Sequence, residues 1–149
     1  MPTLIDQRVK SARKGENPTV ICSVSSGWIV LGDVQFLRGY SLLLPDPVVP
    51  DLNALSENKR KQFLFEMSVL GDALLEVTDA YRINYSILGN SEPALHAHVF
   101  PRFVSEPKEL KIGPAWAYFQ KSGLDLVPFD DNRDKDLMQR IKKAVIKRL

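Results

Sequence analysis

The periodicity of the chain changes abruptly at Arg82, from the stripe of a helix to the alternation of a strand. Before it, Phe63, Met67, Leu70, Leu74, Val77 and Tyr81 recur at alternating spacings of four and three, the stripe of a helix laid against a core. After it, Ile83, Tyr85 and Ile87 alternate with Asn84 and Ser86, the period of a half-buried strand. The spacing predicts one long helix over about 56–81, with Ser56 as its N-cap and Glu57 complementing the positive helix end. A helix of that length needs a broad apolar partner, and a strand that follows it directly suggests a sheet.

The rest of the sequence supplies the other strands. Thr19 to Val24 is β-branched, Ser25-Ser26-Gly27 is a turn signal, and Trp28 to Leu31 follows, so a hairpin is predicted. Tyr40 to Leu44 reads as a further strand stopped by Pro45, and the three prolines from Pro45 to Pro50 predict a non-helical connection. Downstream of the helix, Gly89-Asn90-Ser91-Glu92-Pro93 predicts a tight turn joining two antiparallel strands. In the second of these, Leu95, Ala97 and Val99 face one side while His96, His98 and Phe100 face the other. Leu4, Ile5, Val9 and Ala12 predict a short N-terminal helix ending near Gly15. Leu137, Ile141, Val145 and Leu149 predict a last helix over about 131–149, capped by Asp131 or Asp134. The stretch from Phe103 to Asp130, with Gly113, Gly123 and the cluster Trp116, Tyr118 and Phe119, shows no single period. Together these elements predict an α+β fold, an antiparallel sheet with a long helix packed on it and a C-terminal helix.

At 149 residues and 44% hydrophobic, the chain suits one domain over 1–149, with a C-terminal extension from about 104. A formal net charge of +2 argues against a specific nucleic-acid partner, and the basic run Arg140 to Arg148 reads as a solvated helix face. Cys22 has no second cysteine to pair with and sits in an apolar run, as a small core residue does. No stretch has the length of a membrane span, and Met1 to Asp6 lacks the pattern of a signal peptide, so a cytoplasmic location is expected.

The only two histidines, His96 and His98, stand two residues apart. On a strand such a pair shares one face, about 7 Å apart along the backbone. Imidazole titrates near neutral pH and serves as nucleophile, base or acid. His-x-His is also a common metal-ligand pair, but a third ligand would have to be recruited from Asp33 or Glu92. The plainest reading is two strand residues with satisfied hydrogen bonds.

With its surroundings, Ala94-Leu95-His96-Ala97-His98-Val99-Phe100-Pro101-Arg102 resembles the motif of the histidine triad superfamily, His-φ-His-φ-His-φ-φ followed by Pro-Arg, where φ is apolar. The first histidine is replaced by Ala94. Asn84 to Asn90 resembles bacterial members, in which a short Gly-Asn turn leads to a proline before the triad, a branch similar to dinucleoside polyphosphate hydrolases. The likeness runs from about Trp28 to Phe103. It implies nucleotide hydrolysis or transfer at the α-phosphorus, with His96 as the nucleophile that forms a nucleotidyl-histidine and His98 beside it on the phosphoryl oxygens or leaving group. It further implies that Asn90, and with it Ser91, donates to the phosphate, and that Asp33 meets the ribose hydroxyls. No cofactor is required, although a divalent metal can accompany the substrate. A homodimer joined through one continuous sheet is implied as well.

Two residues depart from the motif. Ala94 has no imidazole, and Tyr40 stands where many relatives carry a histidine. These losses leave a second reading open, a nucleotide-binding module with little or no turnover. Asn90 is equally explained as a turn residue that tolerates a left-handed backbone. Arg102 reads as an edge-strand charge rather than a phosphate ligand.

Overall fold

A computed structural model describes residues 1–121 and 126–149. The 122–125 part of the aperiodic stretch, including Gly123, lies outside the described residues. The N-terminal helix α1 (Leu4–Arg13) is closed by a capping box that the apolar pattern did not reveal. The Thr3 hydroxyl accepts from the Asp6 N–H, and the Asp6 carboxylate accepts from the Thr3 N–H. Strands β1 (Val20–Val24) and β2 (Gly27–Leu31) form the predicted hairpin, and β3 (Ser41–Pro45) pairs antiparallel with β2.

Helix α2 (Glu57–Val77) begins at the predicted cap, Ser56, and buries Phe63, Leu70 and Leu74. It ends one turn earlier than its stripe. Thr78 turns to extended backbone while its hydroxyl donates to the Leu74 carbonyl, so Tyr81 is exposed rather than in the core. Strand β4 (Arg82–Ser86) follows, and β5 (Ala97–Arg102) pairs antiparallel with both β4 and β3, giving the sheet order β1-β2-β3-β5-β4.

The connection between β4 and β5 is not a tight hairpin. β4 stops at Ser86, and the chain from 87 to 96 leaves the sheet because its backbone bonds are made elsewhere. Leu95 N–H donates to the Val49 carbonyl (2.8 Å), in the proline-rich link rather than in β4.

Along β5 the faces alternate as predicted. Leu95, Ala97 and Val99 join Ile29, Leu43, Phe63 and Leu70 in the main core, together with Ile141 and Val145 of α4 (Asp131–Ile146). The last helix is capped by Asp130, not by Asp131 or Asp134, and Leu149 lies past its end, exposed. Asp134 is instead fully buried, accepting from Arg38, Arg133 and the Asp130 N–H. Burial alone would raise its pKa, but these donors prevail and hold it down at about 2.

On the opposite face of the sheet, α1 packs Ile5 and Val9 over Val30 and Leu44. The aperiodic stretch supplies the second cover on that face. It folds into α3 (Lys108–Lys111) and a 3₁₀ helix (Ala115–Gln120), which place Leu110, Ala115 and Tyr118 against Tyr40 and Phe100. Arg102 anchors this cover. β5 is an interior strand, so Arg102 is 2% exposed rather than an edge charge. It pairs with Glu106 (3.0 Å) and donates to Asn84 and to the carbonyls of Leu110 and Gly113 (each 2.8 Å). Among the described residues, no helix is long and apolar enough to cross a membrane.

Candidate functional site

The two covers leave a gap over the middle of the sheet, and both histidines open into it. A cavity of about 250 Å³ is lined by Leu4, Ile5 and Arg8 of α1, by Val30, Leu31, Leu42 and Leu44 of the sheet, and by Asp33, Tyr40, His96 and His98. Asn17, Thr19, Val34 and Glu92 complete its walls. The lining is an apolar floor with a few polar groups converging on it, the usual composition of a small-molecule site.

His96 lies just ahead of β5 and is 8% exposed. Its Nδ1 is 2.7 Å from the carbonyl oxygen of Ala94. A carbonyl only accepts, so Nδ1 carries the proton and Nε2 keeps its lone pair in the neutral ring. The backbone of Ala94 thus orients the His96 ring.

His98 pairs across the sheet with Leu42 and Ser86. It is boxed by rings, stacked with Phe100 (5.7 Å between centroids) and edge-on to Trp116 (4.6 Å) and His96 (4.8 Å). Its Nδ1 lies 2.7 Å from the Tyr40 hydroxyl. Burial first, and His96 second, depress its pKa to about 3, so the ring is neutral at physiological pH. Burial also pushes the Tyr40 phenol well above its ordinary value, which keeps it a hydroxyl.

A depressed histidine pKa ties stability to pH. The unfolded chain takes up a proton near pH 6.5 while the folded site resists it down to about 3, so stability falls as pH drops through that window. Urea midpoints of wild type and His98→Gln are expected to diverge least at pH 5 and most at pH 7, with the wild type alone losing stability from pH 7 to 5. Parallel curves would refute this assignment.

The loop from Gly32 to Tyr40 is held by a residue that no motif flagged. Gln35 is buried, donates to the carbonyls of Gly32 (3.0 Å) and Tyr40 (2.9 Å), and accepts from the Gly39 N–H (2.9 Å). Gly32 has no side chain because the Tyr40 ring occupies that space; a Cβ there would lie 2.3 Å from a ring carbon. Asp33 lines the cavity wall and is paired with Arg8 of α1 (2.6 Å). Glu92 fixes the other end of α1 by accepting from the Leu4 N–H. Arg8 and Glu92 act across long sequence separations, so local spacing gave no signal for them, whereas Gln35 ties together a loop with no periodic pattern.

Asn90 and Ser91 are exposed in the 87–96 connection and do not line the cavity. Trp116, from the segment whose sequence shows no period, instead stands against His98, its Nε1 donating to Ser86 Oγ (3.3 Å). Trp28 is half-buried under α1, with its Nε1 donating to Asp46 (3.0 Å). No group of three or more histidine, cysteine, aspartate or glutamate side chains suited to a metal ion occurs among the described residues.

No protein-family model matches the sequence, and no curated protein does. Solved structures do match the fold. A histidine triad protein from Sinorhizobium meliloti superposes with a TM-score of 0.70 at 22% identity, over 84% of this chain and 87% of that one. A histidine triad protein from Bradyrhizobium japonicum gives 0.72 at 21% identity, over 90% and 95%. One from Marinobacter aquaeolei gives 0.72 at 19% identity, over 86% and 88%. The chain therefore has the histidine triad fold, with Ala94 and Tyr40 set among its two histidines.

Proposed function

We propose that this protein is a nucleotide hydrolase or nucleotidyl transferase acting at an α-phosphorus through a nucleotidyl-His96 intermediate. The observation that carries this reading is the 2.7 Å contact between His96 Nδ1 and the Ala94 carbonyl, which in the neutral ring puts the Nε2 lone pair beside the cavity. Covalent catalysis by such a nitrogen divides one difficult displacement into two easier ones. His98 supplies an N–H to the phosphoryl or leaving oxygens. Asp33 accepts from the ribose hydroxyls at the cavity wall, and the apolar floor from Val30 to Leu44 receives the base. Asn90 and Ser91 donate to the phosphate chain from the 87–96 connection, which requires that connection to close over the ligand.

Substrates of this reading are dinucleoside polyphosphates, nucleoside phosphoramidates and adenylates. The working form is a homodimer joined through a continuous sheet, for which β1 and β4 are the two edges. Incubation with a radiolabelled dinucleoside polyphosphate, followed by alkaline denaturation, is expected to leave an acid-labile, base-stable label on His96 by peptide mapping. Turnover without any trapped label on this residue would defeat the covalent route.

Ala94 and Tyr40 favour a second reading, a nucleotide-binding module with little turnover. Tight nucleotide binding with no mononucleotide released over hours would select it.

A further inference from the structure

The contact between Tyr40 and His98 bears on which substrates the site accepts. The Tyr40 hydroxyl makes no other hydrogen bond among the described residues. It sits against Phe100 (4.5 Å between ring centroids) in a buried cluster. A buried phenol must give its proton to an acceptor, and the acceptor within reach is Nδ1 of His98. The remaining hydrogen of the neutral ring is then on Nε2. We propose that Tyr40 holds His98 as an uncharged Nε2–H donor, and that the site therefore acts on nucleotide acid anhydrides and discriminates against nucleoside phosphoramidates. This rests on the nucleotidyl-His96 reading above and narrows it.

The chemistry follows from the leaving group. In the first half-reaction His96 Nε2 forms the N–P bond, and the bridging P–O bond breaks with its electron pair staying on the leaving oxygen. A carboxylate or phosphate departs as an anion, so a hydrogen-bond donor is all it needs and no proton is transferred. In the second half-reaction the oxygen of water bonds to phosphorus, the N–P pair returns to His96 Nε2, and the water's proton passes to solvent. A phosphoramidate differs at the first step. Breaking its P–N bond leaves the pair on an amine nitrogen, which must receive a proton as it departs.

A neutral imidazole N–H is not an acid of useful strength at pH 7, and the Tyr40 phenol is a weaker acid than in water because of its burial. The other titratable groups around His98 do not restore one. His96 adds to the depression of the His98 pKa. Asp33 and Glu92 at the cavity wall bring carboxylates, and Arg8 is engaged with Asp33. Phe100, Trp116 and Ser86, which complete the box, carry no charge. Tyr40 is thus a positioning residue that acts through His98.

Two measurements on the full chain test this. The first is ¹⁵N NMR of the two imidazoles between pH 5 and 8, in wild type and in Tyr40→Phe. Wild-type His98 is expected to show the Nε2–H tautomer throughout, and Tyr40→Phe to lose that single form. A wild-type ring that is cationic above pH 5, or protonated on Nδ1, would overturn the assignment. The second compares kcat/KM for a diadenosine triphosphate and an adenosine 5′-phosphoramidate, which share the nucleotide. The anhydride is expected to be favoured by about 100-fold or more, and Tyr40→His, which supplies an ionisable ring at that contact, to narrow the ratio at least tenfold. Equal rates with the expected tautomer would overturn the anhydride preference while leaving the nucleotide reading standing. Turnover of neither substrate would remove the nucleotidyl-transfer reading and the preference with it, whatever the tautomer of His98.

Discussion

Replacing His96 by alanine is expected to lower kcat/KM by roughly 10³-fold or more, about 4 kcal/mol of transition-state stabilisation. The size of the loss follows from the role assigned to Nε2. Removing a group that only binds would raise KM, whereas removing the nucleophile closes the two-step route. On the proposed reading Asp33 and the apolar floor hold the nucleoside, so nucleotide binding is expected to change little. His96 also packs edge-on against His98, and a cavity at position 96 could disturb that neighbour. The control is chemical rescue, in which added imidazole occupies the vacated space and restores part of the turnover of His96→Gly. Full activity in His96→Ala would eliminate this residue as the nucleophile. Equal loss of binding and turnover would show that the substitution had collapsed the site.

The largest effect on stability is expected at Arg102, at the end of β5 and outside the cavity lining. Arg102→Ala is expected to lower the unfolding free energy by about 3–5 kcal/mol, the cost of breaking a buried ion pair by removing one partner. Glu106 would be left accepting from Tyr118 and from the Phe103 N–H without its counter-charge. Burial pushes the Glu106 pKa up, and at present the donors Arg102, Tyr118 and Phe103 N–H outweigh that and hold it below the ordinary range. Without the guanidinium the balance shifts towards the protonated acid.

Lysine is a poor substitute at 102, since one ammonium cannot reach Glu106, Asn84 and the carbonyls of Leu110 and Gly113 together. The same network holds the segment that sets Trp116 against His98. Arg102→Ala is therefore expected to change tryptophan fluorescence before global unfolding, as well as shifting the urea midpoint. A shift of less than 1 kcal/mol would mean that the pair contributes no more than an exposed one.

Much of this architecture is legible in local patterns. The stripe from Phe63 to Val77, the alternation along β5 and the hairpin around Ser25-Ser26 each depend on neighbours within a turn or a pleat. The errors occur where an element ends. Tyr81 continues the helical spacing, yet Thr78 has already diverted the backbone. Gly89-Asn90 looks like a tight turn, yet the partner of Leu95 is Val49, which no spacing near residue 90 reveals. The cover formed by Lys108–Lys111 and Ala115–Gln120 was illegible for a related reason. Short helices carry too few residues to establish a period, and this one is held by Arg102.

The candidate site divides in the same way. The shared face of His96 and His98, with Ala94 two residues ahead of them, is a property of adjacent residues and can be read along the chain. The protonation pattern that makes the pair chemically distinct cannot. His98 depends on Tyr40 and Trp116, and Asp33 depends on Arg8, each brought from a distant part of the chain by packing. Periodicity is enforced by backbone geometry over a few residues, so it is written locally. Tautomer, charge and burial depend on which atoms share a low-dielectric space, and only the folded chain brings those atoms together.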